Sequence, residues 1–206
     1  MRRSFWTGLG LLVAVLLLTA CSTVKTSSET SPADLARYEL RANAISAVEA
    51  WALQGRLAVS DENDGGSGTL RWRVGPDGSR MDFHGAMGRG AWQLESGGGW
   101  AELKLADGST YFAANVGELV RGQLGWEIPV EALSWWVRGL AVPGSEGHKT
   151  LGEDGTLSFL NQYGWVVEYG RYREVGGFIL PSKLTARNEG KTVKLAIRDW
   201  ETGGDE

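Results

Sequence analysis

Apolar and polar residues alternate along most of the chain after residue 50. In segments 51–60 and 69–74 nearly every second residue is large and apolar, and most of the intervening residues are polar or charged. A period of two is typical of β-strands that bury one face. The apolar positions of these two segments are Trp51, Leu53, Leu57, Val59, Leu70, Trp72 and Val74.

Further segments of the same kind follow, separated by turn residues. Glycine-containing turns such as 75–78 and 188–190 suit tight hairpins, and the glycine-rich segment 61–68 is predicted to be a turn or loop. The sequence therefore predicts a meander of about ten or eleven short antiparallel strands. Beyond the first two, the predicted strands cover 80–83, 91–95, 100–105, 110–114, 155–161, 164–172, 177–187 and 191–200.

A helix is predicted before the first strand. Ser31 is a suitable N-cap, Pro32 suits the first helical position, and Asp34 completes a pattern similar to a capping box. Apolar residues at roughly helical spacing extend the prediction to about Ala50.

Two more helices are predicted between the two groups of strands. Asn115 and Glu118 form a capping pair for a helix that ends before Gly125, and Pro129 opens a second helical segment, 130–140. Each carries an apolar stripe. The fold class is therefore mainly β: an incomplete antiparallel barrel with an N-terminal helix, whose inserted helices form a lid over an apolar cavity.

The first twenty residues have the layout of a bacterial secretory signal. Two arginines precede an apolar run that is too short and wrongly flanked for an ordinary membrane span. The sequence LTAC that ends at Cys21 resembles a lipobox, whose cysteine receives a diacylglycerol and, after cleavage, an acylated amine. Stable anchoring takes two or more chains. A plain signal with a chance cysteine and an uncleaved anchor are the alternatives.

This prediction divides the chain into three parts. Residues 1–20 are the cleaved signal peptide, 21–32 a lipidated polar tether, and 33–206 a single open-barrel domain. Ser22 follows the cysteine, and in lipoproteins of this kind a residue other than aspartate there favours the outer membrane. Because Cys21 is the only cysteine, the domain must fold without a disulfide.

Composition narrows the classes of function. The 206 residues carry 21 lysines and arginines against 25 acidic residues, an acidic balance that argues against a nucleic-acid partner. The two histidines, His84 and His148, have no motif linking them to a nucleophile, and no sequence pattern for a metal or cofactor is found. We predict no enzyme activity, although a hidden catalytic pair among scattered carboxylates stays open. The carboxylates predicted to lie on outward faces are Asp82, Glu95 and Glu102.

Tryptophan is the most informative residue type. The chain has ten, and Trp51, Trp72, Trp92, Trp135 and Trp136 lie on predicted apolar faces. A packed core explains any one of them. A curved sheet with so many large apolar side chains is also suited to binding a hydrophobic ligand, since ligand pockets are mostly apolar. Exposed tryptophans would instead favour carbohydrate binding.

Segment 84–90, HGAMGRG, places a methionine among turn glycines. A hairpin tip normally carries polar residues or glycine. Met87 either folds back over the end of the core or forms an exposed apolar tip that touches a membrane, with Arg89 available to anionic head groups.

Taken in order, several motifs resemble the LolB family, the outer-membrane receptors of the bacterial lipoprotein-localisation system. They are LTAC, WALQGRLAV, IPVEALSWWVRGL followed by PG, GWVVEYGRY, LPSKL and VKLAIRDW. The resemblance implies a receptor anchored through Cys21 and facing the periplasm. Such a receptor accepts lipoproteins from the soluble carrier LolA, holds their acyl chains in an apolar cavity and inserts them into the outer membrane without an energy source or cofactor.

The resemblance also assigns site residues. The membrane-insertion loop maps to Met87 and Gly88, although the family typically has leucine where this chain has Met87. The implied partners are LolA, lipoprotein cargo and outer-membrane lipid, and we expect a monomer. A carbohydrate-binding or structural envelope lipoprotein, and a periplasmic hydrolase, are the alternatives. We expect the acyl-chain cavity and its lid to be formed by Trp51, Leu53, Leu57, Trp72, Leu133, Trp136 and Leu140.

Overall fold

A computed structural model of the chain describes residues 31–62, 65–85, 90–152 and 154–203. One antiparallel sheet of eleven strands dominates it, in the order β6-β5-β4-β3-β2-β1-β11-β10-β9-β8-β7. The strands are β1 (Trp51–Ser60), β2 (Gly65–Gly75), β3 (Gly78–Gly85), β4 (Trp92–Gly97), β5 (Trp100–Leu105), β6 (Thr110–Ala113), β7 (His148–Leu151), β8 (Leu157–Gln162), β9 (Trp165–Val175), β10 (Phe178–Asn188) and β11 (Lys191–Thr202).

The two ends of the strand sequence meet in the middle of the sheet. β1 pairs with β11 from Trp51↔Thr202 to Ser60↔Thr192, with a bulge between Gln54 and Gly55. The outermost strands are β6 and β7, so the sheet stays open rather than closing on itself. This confirms the predicted mainly β, incomplete barrel.

The sheet curls around a short helix. Helix α3 (Val130–Trp136) has seven residues and is about 10 Å long. Its Val130 lines the same cavity as Met81 of β3, while its Trp136 donates a hydrogen bond to Gln162 of β8. Those strands are six steps apart in the sheet, about 29 Å if it were flat. Because one short helix reaches the neighbourhood of both strands, the sheet must curve around it.

Helix α1 (Pro32–Ser46) begins as predicted. Ser31 Oγ accepts a hydrogen bond from the Asp34 N–H at 3.1 Å, which satisfies one of the free amides of the first turn. The helix ends before the predicted Ala50 because that residue already joins the sheet margin, where its carbonyl accepts a hydrogen bond from the Gly203 N–H.

Helix α2 (Val116–Leu124) confirms the second capping prediction, with Asn115 Oδ1 accepting from the Glu118 N–H at 2.9 Å. Helix α3 is shorter than the predicted 130–140. Gly139 adopts a φ of 74°, a left-handed conformation that glycine takes without steric cost, and it turns the chain after Trp136.

Two strand predictions need correction. β2 begins at Gly65, within the segment 61–68 that was predicted to be a turn or loop. β7 was not predicted at all: it is a four-residue edge strand, His148–Leu151, of which only Leu151 is buried. Neither segment has the apolar alternation on which the strand predictions depend.

Candidate functional site

An apolar cavity of about 640 Å³ lies at one end of the curled sheet, beside helix α2. We call it the α2 cavity. Its volume falls within the range of roughly 300–1,000 Å³ that small-molecule sites in proteins occupy. The large apolar side chains that line it are Phe83, Trp92, Leu105, Leu124 and Trp126.

Three aromatic rings form one wall of the α2 cavity. Phe83 of β3 stacks on Trp92 of β4, with ring centroids 5.2 Å apart and 15° between the planes. Trp126, in the connection between α2 and α3, meets both edge-on at 6.1 Å and 6.0 Å. Such contacts hold rings in a fixed geometry and contribute about 0.5–1.5 kcal/mol each beyond burial. The cavity therefore has a preformed aromatic wall.

The glycine-rich start of β2 makes room for this wall. A Cβ atom on Gly68 would lie 2.2 Å from the His84 carbonyl oxygen and 2.7 Å from the Phe83 ring. Gly68 thus allows the Phe83 ring to lie directly against β2. Gly65 and Gly66, which precede Gly68 in the same strand, line the cavity themselves.

The Trp92 indole adds one polar atom to the wall. Trp92 is 8% exposed, and its Nε1 has no hydrogen-bond partner among the described residues. An unsatisfied buried donor costs about 1–3 kcal/mol.

The seven residues predicted to form the cavity and lid lie elsewhere in the same core. All are buried and belong to one continuous apolar cluster. Trp51 and Trp72 pack edge-to-face at 5.2 Å, and Trp136 is fully buried. None of the seven is among the described residues that line the α2 cavity. Trp72 borders a different cavity of about 190 Å³, and Leu140 borders one of about 270 Å³.

The segment around Trp136 is held by a dense set of hydrogen bonds. Gln162 Oε1 accepts from Trp136 Nε1 at 3.1 Å and from the Val142 N–H at 3.0 Å, and Gln162 Nε2 donates back to the Val142 carbonyl. The Tyr169 hydroxyl donates to the Trp136 carbonyl at 3.0 Å. Burial raises the pKa of Tyr169 well above its usual value, so the phenol keeps the proton it donates.

Two arginines, the half-buried Arg41 and the buried Arg138, brace the same region. Arg41 of α1 donates to the carbonyls of Gly139, Arg138 and Ile179, which ties the N-terminal helix to the segment after α3 and to β10. The Arg138 guanidinium lies 4.8 Å from the Trp135 ring centroid, and burial lowers its pKa. These contacts fix the α3 side of the core in place.

By contrast, the connection 125–129 beside the α2 cavity is held mainly by ring packing of Trp126 and makes few hydrogen bonds. Its Trp126 N–H donates to the Val120 carbonyl at 3.2 Å, and Glu127 forms an ion pair with Lys191 at the protein surface. Exposed ion pairs contribute at most about 1 kcal/mol.

The described part of the chain contains no candidate metal centre. His84 and His148 are both exposed, and the described residues contain no group of histidines, cysteines or carboxylates able to hold a metal ion. Two of the predicted outward carboxylates, Asp82 and Glu95, form ion pairs with Arg80 on the outer face of the sheet.

Cys21, Met87 and Gly88 lie outside the described residues. Gly85 and Gly90, the nearest described residues on either side of the predicted insertion loop, both line the α2 cavity. None of the described helices is long and apolar enough to cross a membrane.

Sequence reasoning did not single out Phe83 or Trp126. Phe83 falls in a predicted strand and its inward position could have been read from the alternation with Met81. Trp126 lies between two helices, in a segment without periodicity, and its only signal was its residue type.

Comparison with known proteins supplies an independent line of information. The family model "Outer membrane lipoprotein LolB" matches residues 49–200. Outer-membrane lipoprotein LolB of Pseudomonas syringae pv. syringae is 36% identical over 189 residues, which cover 91% of this chain and 92% of that protein. LolB of Pseudomonas putida is 38% identical over 157 residues, 76% of this chain and 77% of that protein.

Among solved structures, a putative outer membrane lipoprotein-sorting protein domain from Vibrio parahaemolyticus is similar, with a TM-score of 0.53 and 10% sequence identity. The likeness covers 84% of this chain and 93% of that one. At this identity it shows a shared fold.

Proposed function

This chain belongs to the outer membrane lipoprotein LolB family, and on that premise we propose that it receives lipoproteins by taking their acyl chains into the α2 cavity. The observation that carries the proposal is a cavity of about 640 Å³ with a preformed aromatic wall, in a chain that matches the family over residues 49–200. Acyl chains are apolar, and each methylene removed from water contributes about 0.8 kcal/mol.

Membership of the family makes the protein an outer-membrane lipoprotein rather than an enzyme. In the proposal, Cys21 carries the lipid anchor and residues 21–32 connect it to the folded domain. The anchored domain faces the periplasm as a monomer, and the anchor holds the cavity beside the membrane that receives the cargo.

The proposed transfer needs no energy source. The periplasmic carrier LolA hands over a lipoprotein because its acyl chains bind more tightly in the receptor than in the carrier, and the membrane then takes them from the receptor. Differential affinity for the same chains is sufficient to set the direction. Met87 and Gly88, between two glycines that line the α2 cavity, form the insertion loop at the membrane.

Acyl-chain binding provides the test. All described helices and strands follow residue 30, so a soluble form that begins at Ser22 retains the whole described fold. We expect this form to bind a fluorescent fatty acid saturably, to take up acylated cargo from LolA, and to change its tryptophan emission on binding. Failure to take up acylated cargo would contradict the proposal, and binding of a glycan instead would favour the carbohydrate-binding alternative.

A further inference from the structure

A second cavity adjoins the α2 cavity. It has a volume of about 170 Å³ and lies against the end of the β1–β2 hairpin; we call it the hairpin cavity. Gly65, Leu124 and Trp126 line both cavities, so these three residues form the wall between them.

The hairpin cavity has an apolar interior and a charged rim. Val59, Trp165 and Val193 line it and are each buried, with exposures of 8%, 5% and 1%. Asp61, Glu127 and Lys191 line it at the surface, where Glu127 and Lys191 form an ion pair. This distribution suits a guest with an apolar tail and a polar end.

Trp126 is the only large flat side chain in the shared wall. Its ring packs edge-on against Phe83 and Trp92, whose rings line the α2 cavity alone. On its other side, the residues that follow it, Glu127 and Ile128, line the hairpin cavity alone. Trp126 is therefore the largest side chain in the wall that the two cavities share.

We propose that the two cavities take separate acyl chains of the same lipoprotein, with Trp126 as the partition between them; this rests on the proposed acyl-chain binding. A cargo cysteine modified as at a lipobox carries a diacylglycerol and an acylated amine. Its chains diverge from one residue, so chains from one cargo can enter neighbouring cavities on either side of a wall. The α2 cavity takes one or more chains, and the smaller hairpin cavity takes part of another whose polar end lies at the charged rim.

The proposal predicts that the hairpin cavity distinguishes cargo with several chains from cargo with one. Ile128 lines the hairpin cavity and not the α2 cavity, so Ile128→Trp fills the former selectively. The matched control is Ile179→Trp, the same change at an exposed position of β10 outside both cavities. The probes are synthetic lipopeptides with a cysteine bearing either one palmitoyl chain or a dipalmitoyl glyceryl group.

In the soluble form that begins at Ser22, we expect Ile128→Trp to weaken dipalmitoyl peptide binding about tenfold or more, since each methylene returned to water costs a factor of about four. Binding of the single-chain peptide should stay within about twofold, because a lone chain uses the α2 cavity. Ile179→Trp should change neither. Thermal unfolding checks that each variant folds; if Ile128→Trp does not, Ser60→Phe fills the hairpin cavity from its rim.

Equal weakening of both peptides by the filling variant, or no change in either, would overturn the separate-chain proposal. If the unaltered protein bound neither peptide, the proposed acyl-chain function itself would fail.

Discussion

The two ends of the core differ in what fills the curl of the sheet. Beneath α3, Trp136 and its neighbours occupy most of the interior and leave two smaller cavities, of about 190 and 270 Å³. Gln162, Tyr169 and Arg41 bind the backbone of this segment. Beside α2, the inward side chains of β3–β5 surround an open space, and a lightly bonded connection covers it. The same alternation of apolar residues builds both ends, so inward-facing residues alone do not decide where a cavity forms.

This difference separates stability from binding. The filled end holds the sheet in its curl, and the hollow end has room for a guest. Substitutions at the two ends should therefore affect different measurements.

The largest expected effect is on stability, at the filled end. Trp136→Ala should lower the free energy of unfolding by about 3–5 kcal/mol, because it leaves a large cavity in the core. It also removes one of the hydrogen-bond partners of buried Gln162. Urea denaturation measures the change. Trp100→Ala, at a tryptophan that is 47% exposed, serves as the control; a Trp136→Ala change no larger than the control would contradict the assignment of this end as the structural core.

The next effect concerns release rather than either end of the core. Met87→Glu should slow delivery of bound lipoprotein to liposomes roughly a hundredfold, because an acidic side chain within the apolar layer costs about 3 kcal/mol. Cargo binding in solution should not change. Met87→Leu should deliver normally. Unchanged delivery by the glutamate variant would favour the alternative in which Met87 covers the core.

The smallest expected free-energy change is the loss of fatty-acid binding on substitution of Trp126. Trp126→Ala should weaken fatty-acid binding about tenfold by removing one face of the aromatic wall. The unfolding free energy should fall by about 2 kcal/mol, since Trp126 is half-buried and makes two edge-on ring contacts. Trp135→Ala is the matched control, a half-buried tryptophan of α3 that lines neither the α2 nor the hairpin cavity. If Trp126→Ala lowered the stability of the fold without weakening fatty-acid binding, Trp126 would belong to the structural core and not to the binding site.

Much of the fold could be predicted because it depends on local patterns. The alternation of β1 and the capping of α2 by Asn115 are visible in the sequence, and both recur in the structure. β7 escaped prediction because an edge strand of four residues with one buried side chain has no alternation to detect. The glycines at the start of β2 resemble a turn, but they serve close approach, as at Gly68 against the Phe83 ring.

The site could be predicted only in part. The sequence indicates a hydrophobic interior, and it identifies Trp92 as facing this interior. Whether an inward side chain fills space or lines it depends on which segment packs over it from elsewhere in the chain. Trp51 and Trp72 meet each other and lie beneath the segment that contains α3, whereas Phe83 and Trp92 meet Trp126 from a non-periodic connection.

We propose that acyl chains bind at the hollow end and not in the core beneath α3. Photo-crosslinking with a palmitoyl chain that carries a diazirine, followed by mass spectrometry of the adducts, tests this directly. We expect adducts on residues of the α2 cavity, such as Phe83, Trp92 and Trp126. Adducts concentrated on Trp51, Trp72 or Trp136 would contradict it and would place the chains in the core beneath α3.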